Sequence, residues 1–85
     1  MKTYLFYTTG ASSQDQTQAL TDQLTKLQVE TINLDADSVE GARLSELYDM
    51  TMRPGAVITR DDGQMIHRWL GVLPNASDVS YYVNG

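Results

Sequence analysis

The chain has 85 residues, 41% of them hydrophobic, with eleven acids against six bases, a formal charge of −5 and no cysteine. That length fits one domain over residues 1–85, too apolar to be disordered yet able to bury only about 60–65% of its unfolded surface. The bases Lys2, Lys26, Arg43, Arg53, Arg60 and Arg68 are scattered, which argues against a phosphate-binding patch and so against nucleic acid. No apolar run reaches the roughly 18–20 residues of a membrane span, and the apolar stretch after Met1 is too short for a signal peptide, so the cytoplasm is the expected compartment.

Thr3 to Thr8 is rich in aromatic and β-branched residues and stops at Thr9-Gly10, which reads as a strand. Its continuous Tyr4-Leu5-Phe6-Tyr7 run suits a strand covered on both faces. Gly10-Ala11-Ser12-Ser13 reads as a polar loop in which either serine can cap the next element. Between Gln14 and Gln28, Leu20, Leu24 and Leu27 fall at i, i+4 and i+7, the spacing of one helical face. Val29 to Leu34 alternates as a second strand. Ser38 then stands where an N-cap belongs, with Gly41 in place of the glutamate of a capping box, and a helix is expected from Val39 to about Asp49.

Pro54 bars helix continuation, since proline lacks an amide hydrogen and restricts the residue before it. Ala56 to Thr59 reads as a short strand, and Asp62-Gly63 as a hairpin turn with positive φ at both central residues. Met65 to Leu70 is the return strand. Pro74-Asn75-Ala76-Ser77 leads into a last helix from Asp78 to about Val83. The first two strands, joined through a helix, should be parallel, and the last two antiparallel.

This order, βαβαββα with a proline just before the third strand, resembles the thioredoxin and glutaredoxin superfamily. The resemblance implies an α/β thioredoxin-like fold, a four-stranded mixed sheet flanked by helices. Phe6-Tyr7-Thr8-Thr9-Gly10 looks like the approach to the Cys-x-x-Cys motif of those proteins, with Ala11 and Gln14 where the two cysteines would stand. Tyr48 to Pro54 is similar to the approach to their cis-proline. Asp62-Gly63 and Arg68-Trp69-Leu70-Gly71-Val72-Leu73 look like their C-terminal hairpin. Neighbouring registers offer Ser12 with Asp15, or Gly10 with Ser13, and no register supplies a thiol.

Thiol–disulfide exchange needs a thiolate, and a serine without an activating base does not replace it. The resemblance therefore implies a redox-inactive member that works as a binding module for a protein or peptide partner. Its groove would lie between Gly10, Ala11, Ser12, Ser13 and Gln14 on one side and Met52, Arg53 and Pro54 on the other, with Tyr7 at its edge. A cis bond at Pro54 would expose the Arg53 main chain to an extended peptide; a trans proline that only ends the helix is the ordinary alternative. Met50 and Met52 flank the same region, one of them expected in the core.

Two other functional readings stay open. In the first, the chain is an oxidoreductase relative in natural or engineered cysteine-free form, or a glutathione-binding protein in which Ser12 polarises the ligand thiol. The glutathione-contacting Gly-Gly-Asp type of motif is replaced by Gly71-Val72-Leu73-Pro74, and an isosteric exchange of both cysteines would have left Ser-x-x-Ser. In the second, it is a structural subunit that assembles through the edge strand Met65–Leu70. His67 is expected to face solvent. Asp35, Asp37 and Glu40 either graze a cation or favour the start of the second helix through its dipole. No cofactor or metal is expected.

Overall fold

The structure, a computed structural model, describes residues 1–8 and 12–84, apart from the side chains of Ser12, Ser13 and Asn84. Seven elements follow one another: β1 (Lys2–Tyr7), α1 (Ser12–Lys26), β2 (Thr31–Asp35), α2 (Val39–Leu47), β3 (Gly55–Thr59), β4 (Met65–Leu70) and α3 (Ala76–Asn84). The strands form one mixed sheet in the order β2-β1-β3-β4. β1 pairs with β2 in parallel, and with β3 antiparallel; β3 pairs antiparallel with β4. The α/β architecture expected from the sequence is the one observed.

Strand alternation divides the core in two. Leu5, Ala56 and Ile58 pack with Leu20, Leu24, Val29 and Val79, so α1 and α3 cover one face. Phe6, Val57 and Leu34 pack with Leu44 and Met50 on the other, beneath α2. β3 is buried along its whole length, as expected of a central strand with helices above and below.

The helix ends differ from those expected. α1 stops at Lys26 and α2 at Leu47, each about two residues early. In α1, the Val29 amide donates to the Leu24 carbonyl and the Gln28 amide to Thr25, both at 3.0 Å, with Gln28 at φ 61°. In α2, the Met50 amide donates to Ser45 at 2.7 Å and the Asp49 amide to Glu46 at 3.3 Å, with Asp49 at φ 54°. Both are Schellman closures, but neither has the glycine that ordinarily marks one, so periodicity alone runs past them. The second strand starts at Thr31, because Val29 belongs to the first of these closures.

α3 starts two residues earlier than expected, because Asn75 Oδ1 accepts from the Asp78 amide at 2.8 Å and so caps it. The hairpin turn also differs. Among its described residues only Gly63 has positive φ, 89°, and its amide donates to the Arg60 carbonyl at 2.9 Å. A three-residue loop with glycine in the left-handed position satisfies the same Asp-Gly pair without straining Asp62.

Candidate functional site

Parallel pairing of β1 with β2 brings Tyr7 and Asp35 to one end of the sheet. Both following helices begin at that end. β3 starts there as well, with Gly55 between Phe6 and Leu70. The start of α1 and the loops before α2, before β3 and after β4 therefore meet at one edge of the molecule, the usual place for a site in an open α/β sheet.

Arg53–Pro54 is a cis peptide bond. Arg53 holds this loop to the loop before α2: its Nη1 donates to Asp37 Oδ1 at 2.9 Å and its Nη2 to the Ala36 carbonyl at 3.4 Å. The two methionines divide as expected, Met50 being buried beneath α2 and Met52 56% exposed. Met52 lies over Gly71, where a Cβ would stand 3.0 Å from the Met52 Cε, and Gly71 also has φ 79°. With exposed Val72 beside Gly71, this makes a short apolar ridge next to Arg53 and Pro54.

Gly55 allows the loop to close onto the sheet. A Cβ there would come within 2.7 Å of both the Met50 Cε and the Trp69 carbonyl oxygen. Glycine is thus required at the step from Pro54 into β3.

Tyr7 follows Phe6, the partner of Gly55, and also faces the α1 side of the sheet. Tyr7, Gln14, Asp15, Thr17, Gln18 and Asn33 line a cleft of about 220 Å³. β-Strand alternation sets Tyr7 on the face of Leu5, the α1 face, and Asn33 is in register with Leu5. Gln14 is brought together with Tyr7 here. Gly10 and Ala11 lie outside the described residues, as do the side chains of Ser12 and Ser13; the backbone of both serines belongs to α1, which begins two residues before the expected Gln14, so the serines stand in its first turn and not in a loop ahead of it. Sequence reading missed Asp15, Thr17, Gln18 and Asn33. The spacing of Gln14, Thr17 and Gln18 along one helix face was the available signal.

His67 departs from the solvent-facing expectation. Its ring stacks on Tyr82 at 4.5 Å and 10° and meets Trp69 edge-on at 4.6 Å. α3 crosses that side of β4, so the histidine fills the join between helix and sheet. The acidic trio is engaged locally: Asp37 pairs with Arg53, Glu40 with Arg43 at 2.7 Å, and Asp35 Oδ1 accepts from the Asp37 amide at 2.9 Å. Ser38 caps α2, its Oγ accepting from the Gly41 amide at 3.0 Å and donating to the Asp35 carbonyl at 2.6 Å. Among the described residues no group of three or more histidine, aspartate or glutamate side chains is placed to hold a metal. No helix among them is long and apolar enough to cross a membrane.

No protein-family model and no curated protein sequence matches the chain. Solved structures do. Mitochondrial thioredoxin 3 from Saccharomyces cerevisiae, in its oxidised form, superposes with a TM-score of 0.73 at 21% identity, over 98% of this chain and 76% of its own. Thioredoxin 1 from Thermosipho africanus gives 0.72 at 16% identity, over 99% and 91%. Thioredoxin from Fasciola hepatica gives 0.72 at 19%, over 98% and 77%. These likenesses, the sheet order and the seven elements agree: the chain has the thioredoxin fold, in a sequence without a single cysteine.

Proposed function

We propose that the protein is a redox-inactive binding module that receives an extended protein or peptide segment alongside Met52, Arg53 and Pro54. Without cysteine there is no sulfur in the chain to attack a disulfide. The observation that carries the reading is the exposed ridge of Met52 and Val72 over Gly71, beside a loop pinned by the Arg53 side chain. The Arg53 hydrogen bonds to Asp37 and the Ala36 carbonyl run through its guanidinium, which holds the loop without using the Arg53 main chain. An extended segment pairing with that main chain would lay alternate side chains on the methionine, whose flexible thioether adapts to varied shapes.

Selection of random twelve-residue peptides against the immobilised protein, followed by ¹⁵N NMR mapping of the winners, tests this. The amides of Met52, Arg53 and Val72 should shift most, and Met52→Asp should weaken binding by about tenfold or more. Selected peptides that leave those amides unmoved would sink the proposal.

A further inference from the structure

The cleft beside α1 is a separate feature from the methionine ridge, and its chemistry is different. We propose that it takes an organic cation, the guanidinium or ammonium group at the end of a short alkyl chain, presented by an arginine or lysine of the partner segment. The choice of a peptide as bearer rests on the binding-module reading above; the preference for a cation does not.

Among the described residues no base lines the cleft, and one full negative charge, Asp15, does. At this end of the sheet Asp37 and Glu40 are already paired with arginines, whereas Asp15 has no ion-pair partner among the described residues. An anionic ligand would meet uncompensated repulsion. Gln18, which also lines the cleft, donates from Nε2 to Asp22 Oδ1 at 3.1 Å, so the capacity its side chain keeps as an acceptor is that of its carbonyl oxygen. The Thr21 hydroxyl lies 2.7 Å from Asn33 Oδ1 and 2.8 Å from the Thr17 carbonyl, fixing β2 against α1.

A guanidinium or ammonium group has donors and no acceptor, so a carboxylate and an amide carbonyl complement it. Half-buried Tyr7 brings an aromatic ring to the lining, the kind of group that attracts a cation over its face. The positive end of the α1 dipole opposes a cation, but it amounts to about half a charge, less than the charge of Asp15. The cleft also opens on the flank of α1 formed by Gln14, Thr17 and Gln18 rather than on its axis. A volume of about 220 Å³ accommodates the end of one long side chain.

The test is a ¹⁵N NMR titration of the full chain with propylguanidinium, with propylurea as its neutral counterpart, and with acetylated, amidated Ala-Ala-Arg-Ala-Ala. Propylguanidinium should shift the side-chain amides of Gln18 and Asn33 saturably below about 20 mM. Propylurea should bind about tenfold more weakly. Asp15→Asn, at an exposed helix position, should lose about the same factor while the rest of the spectrum stays in place, and Asp15→Glu should recover most of it.

Equal responses to the cation and the urea would overturn the proposal in favour of a neutral polar ligand. Absence of saturable shifts at the cleft would overturn it outright. The peptide separates the two readings. Shifts at the cleft alone keep the cation site and sink the ridge. Shifts at Met52 and Val72 with a silent cleft keep the ridge and sink the cation site.

Discussion

A Cβ placed on Gly41 would fall on the Asp35 carbonyl oxygen. The position that sequence patterning leaves as a missing capping-box glutamate is therefore where the first turn of α2 rests on the end of β2. Alanine there would gain helix propensity of about 1 kcal/mol, but would force the helix off the loop that carries Asp37 and Arg53. Overpacking of this kind costs typically 1–3 kcal/mol, and against backbone the upper end applies. Gly41→Ala should lower the urea midpoint by an amount equivalent to about 2 kcal/mol net. A midpoint at or above the parent value would show that α2 can slide freely.

Tyr48 offers a second test at the level of one side chain. Burial first, and then the neighbouring Tyr4, hold its phenol above the ordinary 10.0, with Arg43 acting the other way. Its hydroxyl donates to the Gly63 carbonyl at 3.0 Å, which requires the protonated form. A raised folded-state pKa means that the unfolded chain loses its proton first. The associated stability is complete below pH 10 and is lost as pH climbs through the folded value. Urea unfolding followed from pH 8 to 11.5 should show a steeper alkaline decline for the parent than for Tyr48→Phe. Parallel declines would remove Tyr48 from the account.

At the level of elements, the order and type of all seven were legible, because each carries its own period. Leu20 and Leu24 mark a helix, with Leu27 of the same spacing falling exposed just past its end, and Val57 and Ile58 mark a central strand. What patterning did not show was where helices stop when the left-handed residue is glutamine or aspartate instead of glycine. The site divided in the same way. The Met52-Arg53-Pro54 loop was visible because proline punctuates the chain. The cleft was not, since Asn33 and Gln18 become neighbours only once β2 is laid beside β1 under α1. For Tyr7, strand alternation adds that it shares the face of Leu5, beside α1.

The unmarked closures predict that glycine stabilises them. Gln28 at φ 61° carries a left-handed penalty of about 1 kcal/mol or more, part of it offset by the extra freedom glycine has when unfolded. Gln28→Gly should raise stability by about 0.5–1 kcal/mol, seen as a rise of roughly 2–8 °C in Tm. Asp49→Gly should gain less. Aspartate tolerates this conformation better, and its carboxylate lies 3.8 Å from Arg68, which also donates to the Tyr48 and Asp49 carbonyls. The reverse order of gains would mean that φ, not the carboxylate's contact with Arg68, governs the second closure.

For the whole molecule, both ends of the sheet carry net negative charge. Asp15, Asp35, Asp37 and Glu40 lie at the end of β2, in the loop after it and in the first helical turns, against Arg43 and Arg53, a local excess of two acids in a chain of net charge −5. A net negative excess over the receiving edge, left after Arg43 and Arg53 pair with Glu40 and Asp37, steers an oppositely charged partner during diffusion and does little once short-range contacts have formed. Its reach is the Debye length, about 10 Å at 0.1 M salt and 3 Å at 1 M. Stopped-flow association of an arginine-bearing peptide with the protein should therefore slow by about tenfold between 0.02 M and 0.5 M sodium chloride, with its dissociation rate changing far less. A neutral peptide of the same length, its arginine replaced by citrulline, should associate at a rate nearly independent of salt. If the salt dependence instead fell on dissociation, the Asp15 contact alone would account for it, and the acid excess at this end of the sheet would have no part in capture.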